Sequence, residues 1–419
     1  MDSAFAAAEL TSRRAPFLIG GRRVEAATAT FSQEIAWAHA RGRRPLCLCV
    51  PGGVEMYVAR LAGTSGSFVV KRMPDTGHLH APDCPSYEPP PDTSGLGQVL
   101  GSAIIEDLAT GETTLKLDFP LVKFPGRSTI QPQSLAGDSV ESKGTRLSLR
   151  SLLHYLWDQA ELTRWHPGFL GKRTWATVRR HLLKAAAYRI AHGVPLRSRL
   201  YIPEPFSVEH RDAINARRVL QWSHATELPG MPQHLMLLIG ELKDIARARY
   251  GFKAIVKHLP DLSFTLDEGS YRRLCARFGP ALAMWSDLQD VHMLMIATFS
   301  VSPAGTPAIV ESSLMPATSQ WVPLEDEFEK QLIDRLVSEG RSFIKGLRYN
   351  LGAGSALACA TLTDCEGTAP ALSIVPTVPG NASSPFGFGG RTVPDWQWSP
   401  FCEPMPGLPD KREPSPHCL

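Results

Sequence analysis

No stretch of the 419 residues approaches the roughly 18 consecutive apolar residues that a bilayer-spanning helix requires. The longest apolar runs, MLLIG and HMLMIATF, are the length of core elements, so no membrane partner is expected. The opening MDSAFAAAELTSRR carries Asp2 and Glu9 and lacks a basic stretch followed by an apolar one. A signal peptide is therefore not expected, and the cytoplasm is the expected compartment. Charge of one sign is scarce as well: the formal net charge is +3, too small to name a partner unless it is concentrated somewhere. No fixed period recurs along the chain, which excludes a solenoid or propeller.

Common enzyme signatures are also missing. There is no G-x-S-x-G, no H-E-x-x-H and no P-C-x-x-C preceded by H-x-E. GFLGKRT, with Gly171 and Lys172, lacks the spacing and the hydroxyl residue of a phosphate-binding loop. SGLGQVLG follows a proline run rather than a strand, so it is no dinucleotide fingerprint. Eight cysteines in a chain with no export signal are expected to stay reduced, which favours metal binding or burial over disulfides.

What is present is an ordinary globular composition, 43% apolar and 20% charged, with 35 prolines and 34 glycines that call for many loops. The expected fold class is a multidomain α+β protein. It would have an N-terminal zinc-stapled antiparallel β module, a helical basic middle segment and C-terminal mixed α/β modules. Period and composition divide the chain into a hairpin and helix (1–44), a β module (45–130), a linker (131–147) and a helical basic segment (148–226). A mixed α/β module (227–320), a helix-plus-strands module (321–378) and a Pro/Gly-rich tail (379–419) follow.

FLIGGRRVEA predicts a small hairpin, and PLCLCV, VEMYVARL and FVVKRM predict three antiparallel strands. SLRSLLHYLWDQAEL and KRTWATVRRHLLKAAAYRIAHG predict helices, the second ending at Gly193, and DAINARRVLQWSHA suggests another. HLMLLIGELKDI with GFKAIVKHL, and VHMLMIATFSV with PAIVESSLM, predict two strand pairs around a helix at DEGSYRRLCARFG. PLEDEFEKQLIDRLVSEG predicts a helix whose buried face carries Phe328, Leu332, Ile333, Leu336 and Val337.

The sharpest chemistry lies in PLCLC and GHLHAPDC. Residues i and i+2 of a strand share a face, so Cys47 and Cys49 can present both sulfurs to one point. Pro82 and Asp83 favour a turn that brings His80 beside Cys84, with His78 as the alternate imidazole. Three thiolates and one imidazole form a closed tetrahedral set suited to a structural Zn2+.

C-x-C in the first strand, MYVAR in the next, then P-x-T-G-x-x-H-x3-C, is similar to an uncharacterised bacterial family marked by three cysteines near the N-terminus. LLHYLWDQAELTRWHPGF, GKRTW and the W-x-W…MPGLP ending (Trp396, Trp398, Met405, Pro406) resemble it too, so the likeness spans nearly the whole chain. The resemblance places the three cysteines at Cys47, Cys49 and Cys84. It implies carriage on integrative or conjugative elements, and no activity.

From Arg164 to Arg199 there are nine Lys or Arg and no Asp or Glu. Lys172, Arg173, Arg179, Arg180 and Lys184 are the expected contacts to DNA or RNA, with Trp165, Phe169 and Trp175 available to stack. The leading expectation is thus a zinc-binding accessory protein that touches nucleic acid. A metal-dependent nuclease, active or degenerate, using Glu241 and Lys243 or the Glu329/Asp364 module is the alternative. A protein-interaction scaffold is the third.

Overall fold

The computed structural model describes residues 15–61, 67–124, 145–228, 230–352, 357–375 and 396–413. Among the described residues are seven helices and twenty-two strands, a mixed α/β architecture. Residues 1–14 and 131–144 of the expected N-terminal segment and linker lie outside the described residues.

Strands β1 (Phe17–Ile19) and β2 (Arg22–Val24) form the expected hairpin, with Gly20 and Gly21 both at positive φ in its turn. Helix α1 (Phe31–Ala40) then leads to β3 (Leu46–Cys47), β4 (Val54–Arg60) and β5 (Phe68–Arg72). All five strands share one sheet, ordered β2-β1-β3-β4-β5, because β1 pairs with β3. The hairpin assigned to a separate segment is therefore part of the cysteine-bearing sheet. Phe17, Ile19, Ile35, Ala38, Met56 and Tyr87 make its core.

Short strands β6 (Ile104–Glu106), β7 (Thr113–Leu115) and β8 (Val122–Lys123) precede helix α2 (Leu149–Gln159). Ser148 caps α2 by accepting the Ser151 N–H, and Leu149, Leu152, Leu153, Leu156 and Trp157 are all buried, as their spacing predicts. Strand β9 (Arg164–Trp165) follows, then helix α3 (Trp175–Ala185), capped by Thr174.

The helix expected to reach Gly193 stops at Ala185. Tyr188 adopts a left-handed φ of 60°, and the chain turns into β10 (Arg189–Ala191) and β11 (Val194–Pro195). Parallel pairing of β10 with β7 outweighs the helix preference of AAAYR. Helix α4 (Leu196–Arg199), β12 (Leu200–Tyr201), α5 (Arg211–Trp222) and β13 (Gln233–His234) complete this part.

The centre of the molecule is a closed barrel. Strands β14 (Met236–Arg247), β15 (Phe252–Val256) and β16 (Phe264–Leu266) are followed by helix α6 (Glu268–Asp287), then β17 (Val291–Val301) and β18 (Pro307–Thr318). The order β14-β15-β16-β18-β17 closes on itself because β14 also pairs with β17. Met236, Leu238, Leu242, Phe264, Met295 and Phe299 fill the interior. Leu237, Ile239, Leu294 and Ile296 point the other way and pack in one core with Leu152 and Trp157 of α2. Both faces of β14 and β17 are covered there, which is why MLLIG and HMLMIATF read as unbroken apolar runs.

Helix α7 (Glu327–Ser338), β19 (Phe343–Lys345), β20 (Ala360–Leu362), β21 (Ala371–Ile374) and β22 (Trp396–Trp398) form the last layer, with strand order β22-β21-β20-β19-β9. Two expectations are corrected here. The end of the expected tail contributes β22, whose Trp396 and Trp398 are buried in the core of this layer. The basic segment is no separate unit either: its β9 pairs with β19 and its β10 with β7.

Candidate metal centre

Sheet strand β3 ends at Cys47, and Leu48 and Cys49 already belong to the turn that follows. The two sulfurs therefore converge through a strand-to-turn knuckle rather than through one face of a strand, which corrects the expected geometry. Gly53, at φ 73°, closes the turn into β4. On the other side, a single 3-10 turn (Gly77–Leu79) lifts His80 towards the sheet, and the Cys84 N–H donates to the Ala81 carbonyl at 2.8 Å. That is the turn Pro82 and Asp83 predict.

The ligand atoms of Cys47, Cys49, His80 and Cys84 all lie within 4.8 Å of one another, so the four could hold a metal ion. Cys47 Sγ is 3.9 Å from Cys84 Sγ, and His80 Nδ1 is 3.2 Å from Cys49 Sγ and 3.8 Å from Cys84 Sγ. The Ser86 N–H donates to Cys84 Sγ at 3.4 Å. His80 Nε2 is buried with no protein partner among the described residues, which leaves Nδ1 as the engaged nitrogen. Cys47, His80 and Cys84 are 2%, 3% and 5% exposed, and Cys49 is half-buried. His78, the alternate, is exposed and outside the group.

Desolvation and mutual repulsion oppose ionisation of the thiols as a set. The hydrogen bond to Cys84 and then burial push Cys47 up, and burial pushes Cys49 up. The same contact with Cys47 holds Cys84 down at about 4, assisted by His80 and the Ser86 amide. Without a cation the buried Cys47 and Cys49 thiols favour the protonated form, and a metal ion bound among the four residues would relieve the cost of their thiolates. The knuckle is also tied to the rest of the molecule: Arg164 donates to the Tyr87 carbonyl, and Arg412 pairs with Asp83 at 3.3 Å.

The expected nucleic-acid contacts fare unevenly. Arg173 is buried and donates to the Leu162 and Arg164 carbonyls, its guanidinium lying over Trp165 and Phe169. Arg179 is half-buried and donates to the Ile202 carbonyl at 3.0 Å. Arg189 donates to Gln159, and Arg199 to His234. The missing acids of this segment are thus replaced by backbone carbonyls and neutral side chains. Lys172, Arg180 and Lys184 are exposed. Trp165 and Trp175 are buried and serve packing, so they are no stacking platforms.

The two acidic sets are not brought together with the partners expected for them. Glu241 binds Lys257 at 2.5 Å and His292 at 2.6 Å, while a bulge between Leu242 and Asp244 separates it from exposed Lys243. Burial pushes its carboxyl up, but the hydrogen bonds from His292 and Lys257 outweigh that and hold it below the usual range. Glu329 is buried against Lys345, and Asp364 is clasped by Arg341 through Nε and Nη2 and by the Ser342 N–H.

One feature the sequence did not reveal is a cavity of about 200 Å³ beside the knuckle, lined by Arg72, Glu88, Asp158, Arg164, Lys345 and Tyr349. Burial, then the charge of Glu88, raises Asp158 to about 6. The cavity exists because α2, β19 and the knuckle loop meet across more than 250 residues of sequence, and no local pattern encodes such a meeting.

Fold and site together define a mixed α/β protein, built around a closed β-barrel, with a Cys3His cluster able to hold a metal ion. Residues 17–400 match DUF1173, described as a protein of unknown function, and the chain belongs to this family. That bears out the likeness read from the motifs as far as the uncharacterised family, whose description assigns no metal, activity or genetic setting. Neither the search of curated proteins nor that of solved structures found a match.

Proposed function

We propose that the Cys3His centre holds one structural Zn2+ and that the protein is a nucleic-acid-binding factor whose N-terminal sheet depends on that ion. The observation that carries the zinc reading is the shape of the cluster. A tetrahedral Zn2+ with sulfur at about 2.3 Å and nitrogen at about 2.05 Å has S–S edges of about 3.8 Å and S–N edges of about 3.6 Å. The separations of 3.9, 3.8 and 3.2 Å sit close to those values. Four protein ligands fill the tetrahedron, and burial of three of them leaves no position for a reacting water, which favours a staple over a catalytic metal.

Nucleic-acid contact is supported by Lys172, Arg180 and Lys184, exposed in a segment that carries no acid. Metal analysis of the purified protein is expected to find close to one zinc per chain, and Cys84→Ser to leave it largely metal-free; a stable metal-free wild type would end the zinc reading. DNA or RNA is expected to bind at low salt and to be released steeply as salt rises. The combined Lys172→Glu, Arg180→Glu and Lys184→Glu variant should bind more weakly. Absence of binding at low salt would leave a protein-interaction scaffold.

A further inference from the structure

The central barrel has a specific connectivity. Counting its strands from β14, the ring runs first, second, third, fifth, fourth and back to first, with the third and fifth parallel and a helix between the third and fourth. That is the arrangement of the small Greek-key barrels that take oligonucleotides or oligosaccharides on the face of strands two and three, between the loop joining strands one and two and the loop joining four and five. A fold does not by itself assign a ligand, so the residues on that face decide.

Most of the barrel wall is unavailable. The outer faces of the first half of β14, of β17 and of the last part of β18 are covered by the α2 layer through Leu237, Ile239, Leu294, Ile296 and Met315. The wall formed by β15 and β16 is open. Across it, register aligns Ala246, Lys253 and Thr265, and places Ala308 of β18 beside Thr265. Lys253, Lys257 and Thr265 are exposed.

At one end of this wall stands the tight turn 248–251, closed by an Ala248 N–H bond to the Gly251 carbonyl. It presents Tyr250, 82% exposed, with the Arg249 guanidinium 5.4 Å from the ring centroid. Arg247 lies over Phe252 beside it. At the other end, where β16 begins, lies the 302–306 loop, whose Ser302 N–H donates to the Thr306 carbonyl.

Charge selects between the two ligand classes. From Lys243 to Lys257 there are five Lys or Arg and one acid, Asp244; Lys257 is paired with Glu241, which leaves Lys243, Arg247, Arg249 and Lys253 against Asp244. The neighbouring acids are engaged: Asp261 with Arg211, Asp267 as the cap of α6, and Glu268 with Arg272. A sugar ligand offers nothing to such an excess of cations, whereas a phosphate backbone does, and an exposed aromatic ring flanked by guanidinium groups is a platform for unpaired bases.

We infer that the open β15–β16 wall, with Arg249, Tyr250 and Lys253, is a binding surface for single-stranded nucleic acid. This rests on the nucleic-acid reading above and names the surface and the strandedness. A paired duplex hides its base faces from Tyr250, so preference for single strands separates this surface from simple phosphate attraction.

The test is fluorescence anisotropy of the full chain with labelled 20-nucleotide single strands and the matching duplex at low and moderate salt. Single strands should bind more tightly than duplex. Tyr250→Ala should weaken single-strand binding about ten-fold, as loss of one stacked base does. Arg249→Glu with Lys253→Glu should weaken it further, with the thermal midpoint unchanged because these side chains are exposed. Equal binding of duplex and single strands, untouched by the Tyr250 and Arg249/Lys253 variants, would overturn the surface while leaving the broader reading intact. No binding of any nucleic acid at low salt would overturn both, and saturable binding of oligosaccharides lost on Tyr250→Ala would replace it.

Discussion

His78 lies in a 3-10 turn and His80, two positions on, caps its end, yet only His80 is buried and turned to the sulfurs. His80→Ala is therefore expected to abolish stoichiometric metal binding, and His78→Ala to leave it intact, as read by metal analysis of the two purified variants. Equal loss in both would contradict the assignment. The ligand set was legible because cysteine and histidine are few and their spacing tight; that Cys49 sits in a turn was not, because PLCLCV alternates like a strand.

Asp158 makes a second prediction at this scale. Burial raises its folded pKa to about 6, above the unfolded value, so the folded state binds more protons between the two. Its contribution then favours folding at low pH and is lost as pH rises through about 6. Asp158→Asn keeps an acceptor for Thr163 Oγ1 and carries no charge. It should stabilise the protein by about 1–3 kcal/mol at pH 7.5, with the gain narrowing towards pH 5. A gain that does not vary with pH in denaturant titrations would refute this.

Among the elements, α7 and β19 are joined by an apolar core of Leu332, Ile333, Leu336 and Phe343 and by one buried ion pair that neither segment announces. Lys345 and Glu329 are 1% and 3% exposed, 3.1 Å apart, and the amine also donates to the Gly346 carbonyl. Lys345→Met leaves a buried carboxylate without its cation and is expected to cost about 3–5 kcal/mol, measured by urea unfolding. Adding Glu329→Gln should recover part of that loss. A Lys345→Met protein as stable as wild type would show that the pair contributes nothing.

Element legibility followed local period. The two strand pairs of the barrel, α2 and α7 stand where apolar spacing puts them. Ring closure did not show, because it rests on β14 pairing with β17 and β16 with β18, which are pairings between distant segments. AAAYRIAHG misled for the opposite reason: its helix preference is real locally and yields to the β7 edge.

Across the whole molecule, the layers are held together by segments that cross between them. Strand β22 closes the last sheet from the far end of the chain, and the Arg335 and Arg341 side chains bind the Pro406 and Pro409 carbonyls. Absence of periodicity around these residues concealed their role, although the W-x-W alternation was a two-residue strand signal. Trp396→Ala is expected to destabilise the protein by about 3–5 kcal/mol in urea unfolding, as removal of a buried tryptophan does. A loss below about 1 kcal/mol would mark residues 396–413 as an appendage.

The metal centre belongs to this scale too, since the knuckle it would fix touches the first sheet, β9 and the C-terminal segment through Arg412. X-ray absorption at the zinc edge of the purified protein tests the central claim most directly. The expected spectrum has three sulfurs at about 2.3 Å and one nitrogen at about 2.0–2.1 Å, reduced to background by Cys84→Ser. A protein that folds without zinc, or zinc held by an oxygen-rich shell that survives loss of Cys84, would contradict it.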